Sequence, residues 1–407
     1  MIYYKRIIEN TIECKLSDEC IVNIVGPMEC GKSIVASKFA GSVISLNTGL
    51  NAFERLCEFR PDLLFDGNKP LLIEDIENLP YIKDAVVTSS RKINGAGIFI
   101  TTNSATVEDS IWMGPLTLFE SGDSTGKVKI LDLFKNPDLN IDGITSMLDF
   151  QDLIDVTIKG GFPRILRGEC EINDYIDRVV CKYVPEICGS KRDCNKLKTI
   201  LEVYSKNIYA FTKNTEILKE IESRIPNFAK STYYTYVNDL KELHIIDEIP
   251  AWQHKIKSPT AIRSSSKRSF CDPSIPAALL NLSGEDLFFN FDKLDNLFKN
   301  LCYRDLKVYS SPLDGKISHY ADRYSCEVDC ILEIDNGDYA LINFHLNSQN
   351  IDDCVKDLVK FANFIEKRID KGVLNIKKPK FLAIITASKF AFTHASGVKI
   401  IPIGVLG

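Results

Sequence analysis

The residues best equipped for chemistry are Gly26–Pro27–Met28–Glu29–Cys30–Gly31–Lys32–Ser33. They fill the pattern G-x-x-x-x-G-K-[ST] without a departure. Gly26 and Gly31 let the backbone curl until its N–H groups face a phosphate, and the positive end of the helix that follows adds to that field. Lys32 has the reach and charge for the outer phosphates. The Ser33 hydroxyl is a hard oxygen suited to Mg²⁺, and Ile34 closes the stretch. The expected ligands are ATP and Mg²⁺.

A second candidate is Leu71–Leu72–Ile73–Glu74–Asp75, three apolar residues ending in two acids. Glu74 reads as a Mg²⁺ ligand and Asp75 as the acid that polarises an attacking water. Two solvated acids at a strand end are the plain alternative. The third candidate is Ile98–Phe99–Ile100–Thr101–Thr102–Asn103. Asn103 or Thr102 would orient the water, and a capping role fits either one equally well.

These residues need a frame. The apolar run Cys20–Val25 before the glycine loop reads as a buried strand, and Ile34–Ala40 after it as a helix. Strands are expected at Ser42–Leu46, Leu71–Ile73, Ile98–Asn103, Leu116–Leu118 and Val128–Leu133, with helices around Ala52–Phe59 and Ile82–Lys92 and a loop at Asn94–Gly97. Such alternation gives an α/β domain with a parallel sheet covered on both faces, and ligands of open sheets sit outside the strands' carboxyl ends.

Further along, Met147–Ile158 reads as an amphipathic helix, stopped by Gly160–Gly161–Phe162–Pro163, a domain boundary. Helices are expected at Ile172–Val184, Lys196–Tyr209, Thr215–Ile225 and Ser231–Leu243, then a strand at Ile245–Trp252. Lys255, Lys257, Arg263, Lys267 and Arg268 follow with no acid among them. This basic stretch either tracks a DNA backbone or is a solvated linker or an ordered wing facing the ATP domain. After Cys271, strands at Ile317–Tyr320, Cys326–Ile334, Tyr339–Leu346, Phe381–Ile385 and Lys399–Val405 surround a long helix, Ile351–Ile369. Leu294–Val308 reads as helical at first and then strand-like.

The chain has 407 residues, 45% hydrophobic and 26% charged, with a net charge of −5, which argues against a whole-chain polyanion binder. Met1–Arg6 lacks a signal peptide's apolar core, and no apolar run nears the roughly 20 residues that span a bilayer. Thirteen scattered cysteines are expected to be reduced thiols, and the chain to be cytoplasmic. Cys181, Cys188 and Cys194, and separately Cys326 and Cys330, lack the paired spacing of a zinc site.

Together, Gly26–Ser33, Leu71–Pro80, Phe99–Thr106, Pro115–Gly122, Gly160–Pro163, Asp272–Leu279, Tyr303–Tyr309 and Glu327–Asp329 resemble the prokaryotic AAA-type ATPases that carry a C-terminal nuclease-like domain of unknown function. The resemblance implies an ATP-binding domain over 1–163, a winged-helix-like domain over 164–270 with Ser231–Leu243 (Tyr233, Tyr234, Lys241) as its recognition-type helix, and a restriction-endonuclease-like α/β domain over 271–407. Two departures weaken the implied hydrolysis. Glu74–Asp75 stands where the family has Asp-Glu, and no arginine occurs between Arg91 and Arg164 to serve the γ-phosphate. In the nuclease-like part, Asp329 matches the family's first metal-binding acid, but Asn343–Phe344–His345 occupies the Glu-x-Lys position and Lys299 the helix glutamate. Nucleic-acid cleavage is therefore expected to be absent. The leading expectation is an ATP-binding switch that hydrolyses slowly. The alternatives are a DNA-associated ATPase, or an interaction protein in which ATP only stabilises the fold and the partner is a protein.

Overall fold

A computed structural model describes residues 3–18, 21–45, 60, 67–74, 98–102, 110–189, 191–252, 265–322, 326–346 and 350–407. The helices expected at Ala52–Phe59 and Ile82–Lys92 lie outside these residues. So do Asp75, Asn103, Lys255, Lys257 and Arg263. The chain forms two compact units, each assembled from three stretches: Met1–Pro115, Phe162–Lys198 and Ala229–Ile245 in one, Leu116–Gly161, Thr199–Phe228 and Ile246–Gly407 in the other.

The first unit is built on a parallel sheet of β1 (Ile21–Val25), β2 (Ser42–Ser45), β3 (Leu71–Glu74), β4 (Ile98–Thr102) and β5 (Ser110–Trp112), in the order β2-β3-β4-β1-β5. Strands covered on both faces read as near-continuous apolar runs, which is why β1, broken only by the buried Asn23, and β3 were visible in the sequence. The helix Glu9–Asp18 contributes Ile8 (just before it) and Ile12 to a core that includes Val22, Ile24, Leu72, Ile111 and Met113. Val35 and Ala36, on the helix Lys32–Phe39, join the same core.

The strands expected at Leu116–Leu118 and Val128–Leu133 are corrected. Leu118–Ser121 is a helix, because Thr117 and Glu120 form a reciprocal capping box that starts one. Ile130–Lys135 is also helical, and Val128 makes a single bridge to Leu406. A further correction concerns the thiols. Cys181, on the π-helical turn Val179–Tyr183, is joined to Cys194, which opens the helix Cys194–Ser205; their Cα atoms are 4.7 Å apart, within disulfide range. Among the described residues no three His, Cys, Asp or Glu side chains group to hold a metal ion, and no helix is long and apolar enough to cross a membrane.

The second unit contains an antiparallel pair, β6 (Ile246–Ile249) with β7 (Lys267–Phe270), and a mixed six-stranded sheet. Its strands are β8 (Lys316–Ala321), β9 (Glu327–Glu333), β10 (Tyr339–His345), β11 (Leu382–Thr386), β12 (Phe392–Thr393) and β13 (Lys399–Pro402), in the order β12-β13-β11-β10-β9-β8. The helix Ile351–Asp370 joins the parallel pair β10 and β11, burying Val355, Leu358, Phe361 and Ile365. Phe291–Tyr309 is helical throughout and does not turn into a strand. Leu294, Leu297, Phe298, Leu301 and Leu306 keep helical spacing and are all buried. Asp272 ties the unit together: its carboxylate accepts from the Gly161 N–H (2.9 Å) and the buried Arg304 guanidinium (3.0 Å).

Candidate functional site

The glycine loop leaves the carboxyl end of β1 and enters the helix Lys32–Phe39. Gly31 has φ +100°, in the left-handed region that favours glycine. Gly26 is needed for a different reason: a Cβ there would lie 1.9 Å from the Met113 carbonyl oxygen, just beyond β5. The loop is braced from beneath. Arg6, 4% exposed, donates to the carbonyls of Cys30 (3.0 Å), Gly114 (2.7 Å) and Pro115 (3.4 Å). Cys30 is fully buried, its thiol 3.4 Å from the Met113 carbonyl. Lys32, 8% exposed, reaches back across the loop and donates to the Gly26 (2.9 Å) and Pro27 (2.8 Å) carbonyls. Ser33 and Ile34 are exposed at the start of the helix.

Strand register brings the second candidate to the same edge. Val25 pairs with Thr102 and Thr101 with Glu74, so β1, β4 and β3 end side by side. Glu74 is half-buried there. Asp75 and Asn103, next beyond β3 and β4, lie outside the described residues. The donors present fit MgATP. The Ser33 hydroxyl and Glu74 carboxylate are hard oxygens, the Lys32 ammonium lies on the loop, and a helix begins where the loop ends.

Sequence reading missed the cations at this loop. Glu29 has φ +59°, and its carboxylate is gripped by Arg178, with Nε to Oε1 and Nη2 to Oε2 both at 2.9 Å. Arg164 Nη1 adds a longer contact to Oε2 at 3.5 Å. The hydrogen bonds to Glu29 push the Arg178 guanidinium above its ordinary pKa. No sequence signal marks these partners, since Arg178 is 149 positions from Glu29.

The basic stretch is corrected at both of its described members. Lys267 and Arg268 are not on a flexible surface segment; they sit in β7, 1% and 6% exposed. Lys267 Nζ bonds Glu327 and Asp329 (3.1 Å) and lies 5.3 Å from the Phe211 ring centroid. Arg268 donates to the Thr212 carbonyl (2.7 Å) and to Asn214 Oδ1 (2.6 Å), over the Tyr204 ring. On the expected recognition-type helix, observed as Lys230–Glu242, Tyr233 is core at 0% exposed, whereas Tyr234 is exposed.

Around Lys267 the second unit holds a closed set of polar groups. Asp329 accepts from the Phe344 N–H (3.1 Å), and its own N–H donates to Asn343 Oδ1 (3.1 Å). Burial alone would raise the Asp329 carboxyl, but the Lys267 and Lys299 charges outweigh it and hold it below the usual carboxylate range. Lys299 is in contact with Asp295 at 2.8 Å. His319 is fully buried with Nε2 3.0 Å from the Ser265 carbonyl; burial, aided by the Lys267 charge, lowers its pKa to about 4.

A family described as a domain of unknown function (DUF8612) matches residues 150–286. No curated protein sequence matches the chain. Among solved structures, the chain is similar to the Walker-type ATPase PABY2304 of Pyrococcus abyssi, at 10% identity and TM-score 0.40, covering 69% of this chain and 96% of that one. It is also similar to PCH-2 of C. elegans, at 14% identity and TM-score 0.19, covering 57% of this chain and 64% of that one.

Proposed function

We propose that the chain is an ATP-binding switch protein. The observation that carries this reading is the complete loop Gly26–Ser33, set at the carboxyl edge of a parallel sheet with Lys32 folded onto it. Gly26, Pro27, Met28, Glu29, Cys30, Gly31 and Ile34 shape the cradle, Lys32 meets the outer phosphates, and Ser33 with Glu74 holds Mg²⁺. The bound metal neutralises phosphate charge and orients the polyphosphate. Asp75 and Asn103 orient the water, and turnover is slow because the acids follow the order Glu-Asp. In sequence, the proposal keeps an ATPase segment 1–163, a winged-helix-like segment 164–270 and a nuclease-like segment 271–407.

The test is titration of ATP with Mg²⁺ into wild type and Lys32→Ala. Loss of one charge-assisted contact is worth about 2–3 kcal/mol, or about 30- to 150-fold in affinity. Undetectable binding in both proteins overturns the reading.

The nuclease-like segment is proposed not to cut nucleic acid. The support is Lys267: an ammonium, rather than open space, lies against Asp329 and Glu327. Purified protein incubated with DNA and RNA and Mg²⁺ or Mn²⁺ should leave both intact. Metal-dependent cleavage lost in Asp329→Ala overturns this. The rival DNA-associated reading is weakened, because Lys267 and Arg268 are internal.

A further inference from the structure

We propose that Glu29 is a built-in competitor for the nucleotide's phosphates: its carboxylate holds the guanidinium groups of Arg178 and Arg164 at the loop, and a bound polyphosphate draws them off. Nucleotide occupancy and the placement of residues 163–178 are then two sides of one equilibrium. The proposal rests on reading Gly26–Ser33 as a nucleotide site.

Three observations converge on it. The first is the backbone. Glu29 takes φ +59°, a conformation in which a β-carbon is unfavourable, so a glutamate stands where glycine would be at ease. The second is the geometry of the pair. Both Glu29 oxygens are engaged, by Arg178 Nε and Nη2 at 2.9 Å each, with Arg164 at 3.5 Å, and the Glu29 side chain is 13% exposed. The planar fork of an arginine fits carboxylate and phosphate alike, so the two anions compete for the same donors. The third is what the arginines are attached to. Arg178 ends the helix Ile172–Arg178, and from the same helix the Tyr175 hydroxyl donates to the Met28 carbonyl at 3.4 Å. The Pro163 ring lies 3.7 Å from where a Cβ on Gly31 would stand. Residues 163–178 thus rest on the loop at several points, and the Glu29 pair is the charged one.

Linkage makes the effect reciprocal. Whatever factor the pair removes from nucleotide affinity, the nucleotide removes from the pair. Simple repulsion between Glu29 and phosphate is the competing explanation, and a double-mutant cycle separates the two.

The experiment titrates MgATP into the full chain as wild type, Glu29→Gln, Arg178→Gln and the double variant, with Lys32→Ala as control. Glu29→Gln is nearly isosteric, and Glu29→Gly, which suits the left-handed backbone, is a second probe. Competition predicts that Glu29→Gln tightens binding by about tenfold, within the usual range for coupled sites. That gain should shrink when Arg178 is replaced, because the guanidinium that grips both Glu29 oxygens is gone and only the longer Arg164 contact is left to be freed. Repulsion predicts the opposite: with Arg178 gone, Glu29 is less neutralised and its removal helps more. A gain as large or larger in the Arg178→Gln background overturns the proposal. So does an unchanged or weaker affinity in both Glu29 variants while Lys32→Ala still abolishes binding, an outcome that leaves the nucleotide reading standing. No binding by any variant overturns both.

Discussion

The two units hold two clusters of charge that look alike in composition and differ in use. At the loop of the first unit, Lys32 bonds backbone carbonyls and Glu29 bonds partly exposed arginine side chains, 28% and 43% exposed, while Ser33 faces solvent. Around Lys267 in the second unit, Asp329 meets an ammonium, a strand N–H and a neighbouring amide, and the lysine is 1% exposed. The lesson is about replaceability. A charge pair reached by solvent can trade its partner for a ligand, whereas a desolvated pair closed by backbone hydrogen bonds has become part of the core.

The comparison breaks most readily at Lys267. Lys267→Met should cost about 3–5 kcal/mol, because it leaves Asp329 buried without its ammonium. Urea unfolding measures this, and Asp329→Asn added to the lysine variant should recover part of the loss. A neutral Lys267→Met would place the cluster with the exchangeable pairs instead.

Acid gives the next largest effect. His319 has its pKa lowered to about 4, from about 6.5 when unfolded, so the folded state resists the proton that the unfolded state takes up. Its contribution is fully present above the unfolded pKa and is lost as pH falls from about 6.5 to about 4, to a total of about 3 kcal/mol. Urea midpoints at pH 7.5 and 5 should diverge in wild type and much less in His319→Gln. Equal divergence would remove His319 from the account.

Arg6 tests the other side. Arg6→Ala removes three donations to carbonyls around the loop and should cost about 2 kcal/mol, with a several-fold loss of ATP affinity. Stability lost with affinity unchanged would show that the brace shapes the core and not the cradle. The smallest effect is expected at Lys356, whose contact with Asp353 is on the surface, 74% and 72% exposed. Lys356→Ala should leave the urea midpoint where it was.

The sequence made the loop legible because its chemistry is local: glycines, lysine and serine at fixed spacing between an apolar run and a helix. The strands β10 and β11 were legible for a similar reason, being largely apolar runs on either side of a long amphipathic helix. What stayed hidden depends on partners remote in the chain. Lys267 and Arg268 looked like solvated charges, since nothing near them announces Glu327 and Asp329, 60 and 62 positions on. Glu29 looked like a spacer for the same reason. β5, three residues long, is too short to show a period, and the aromatic end of Phe291–Tyr309 imitates a strand until its burial on a helix is seen. The Cys181–Cys194 link needed a distance that spacing alone does not give.

The chain passes between the two units at 115/116, 161/162, 198/199, 228/229 and 245/246. During synthesis, the strand that carries the phosphate loop emerges ahead of the other strands of its sheet. The helix Lys230–Glu242 of the same unit follows some two hundred residues later, after stretches of the other unit have already left the ribosome. Domains made of consecutive residues fold one after another as they emerge. Here neither unit is complete when the other begins: the first closes only with the stretch that ends at Ile245, and the second only with the sheet that starts at Lys316. Cutting at Pro163 would split both units, whereas cutting at Phe270 would leave every stretch of the first unit on one fragment and divide only the second.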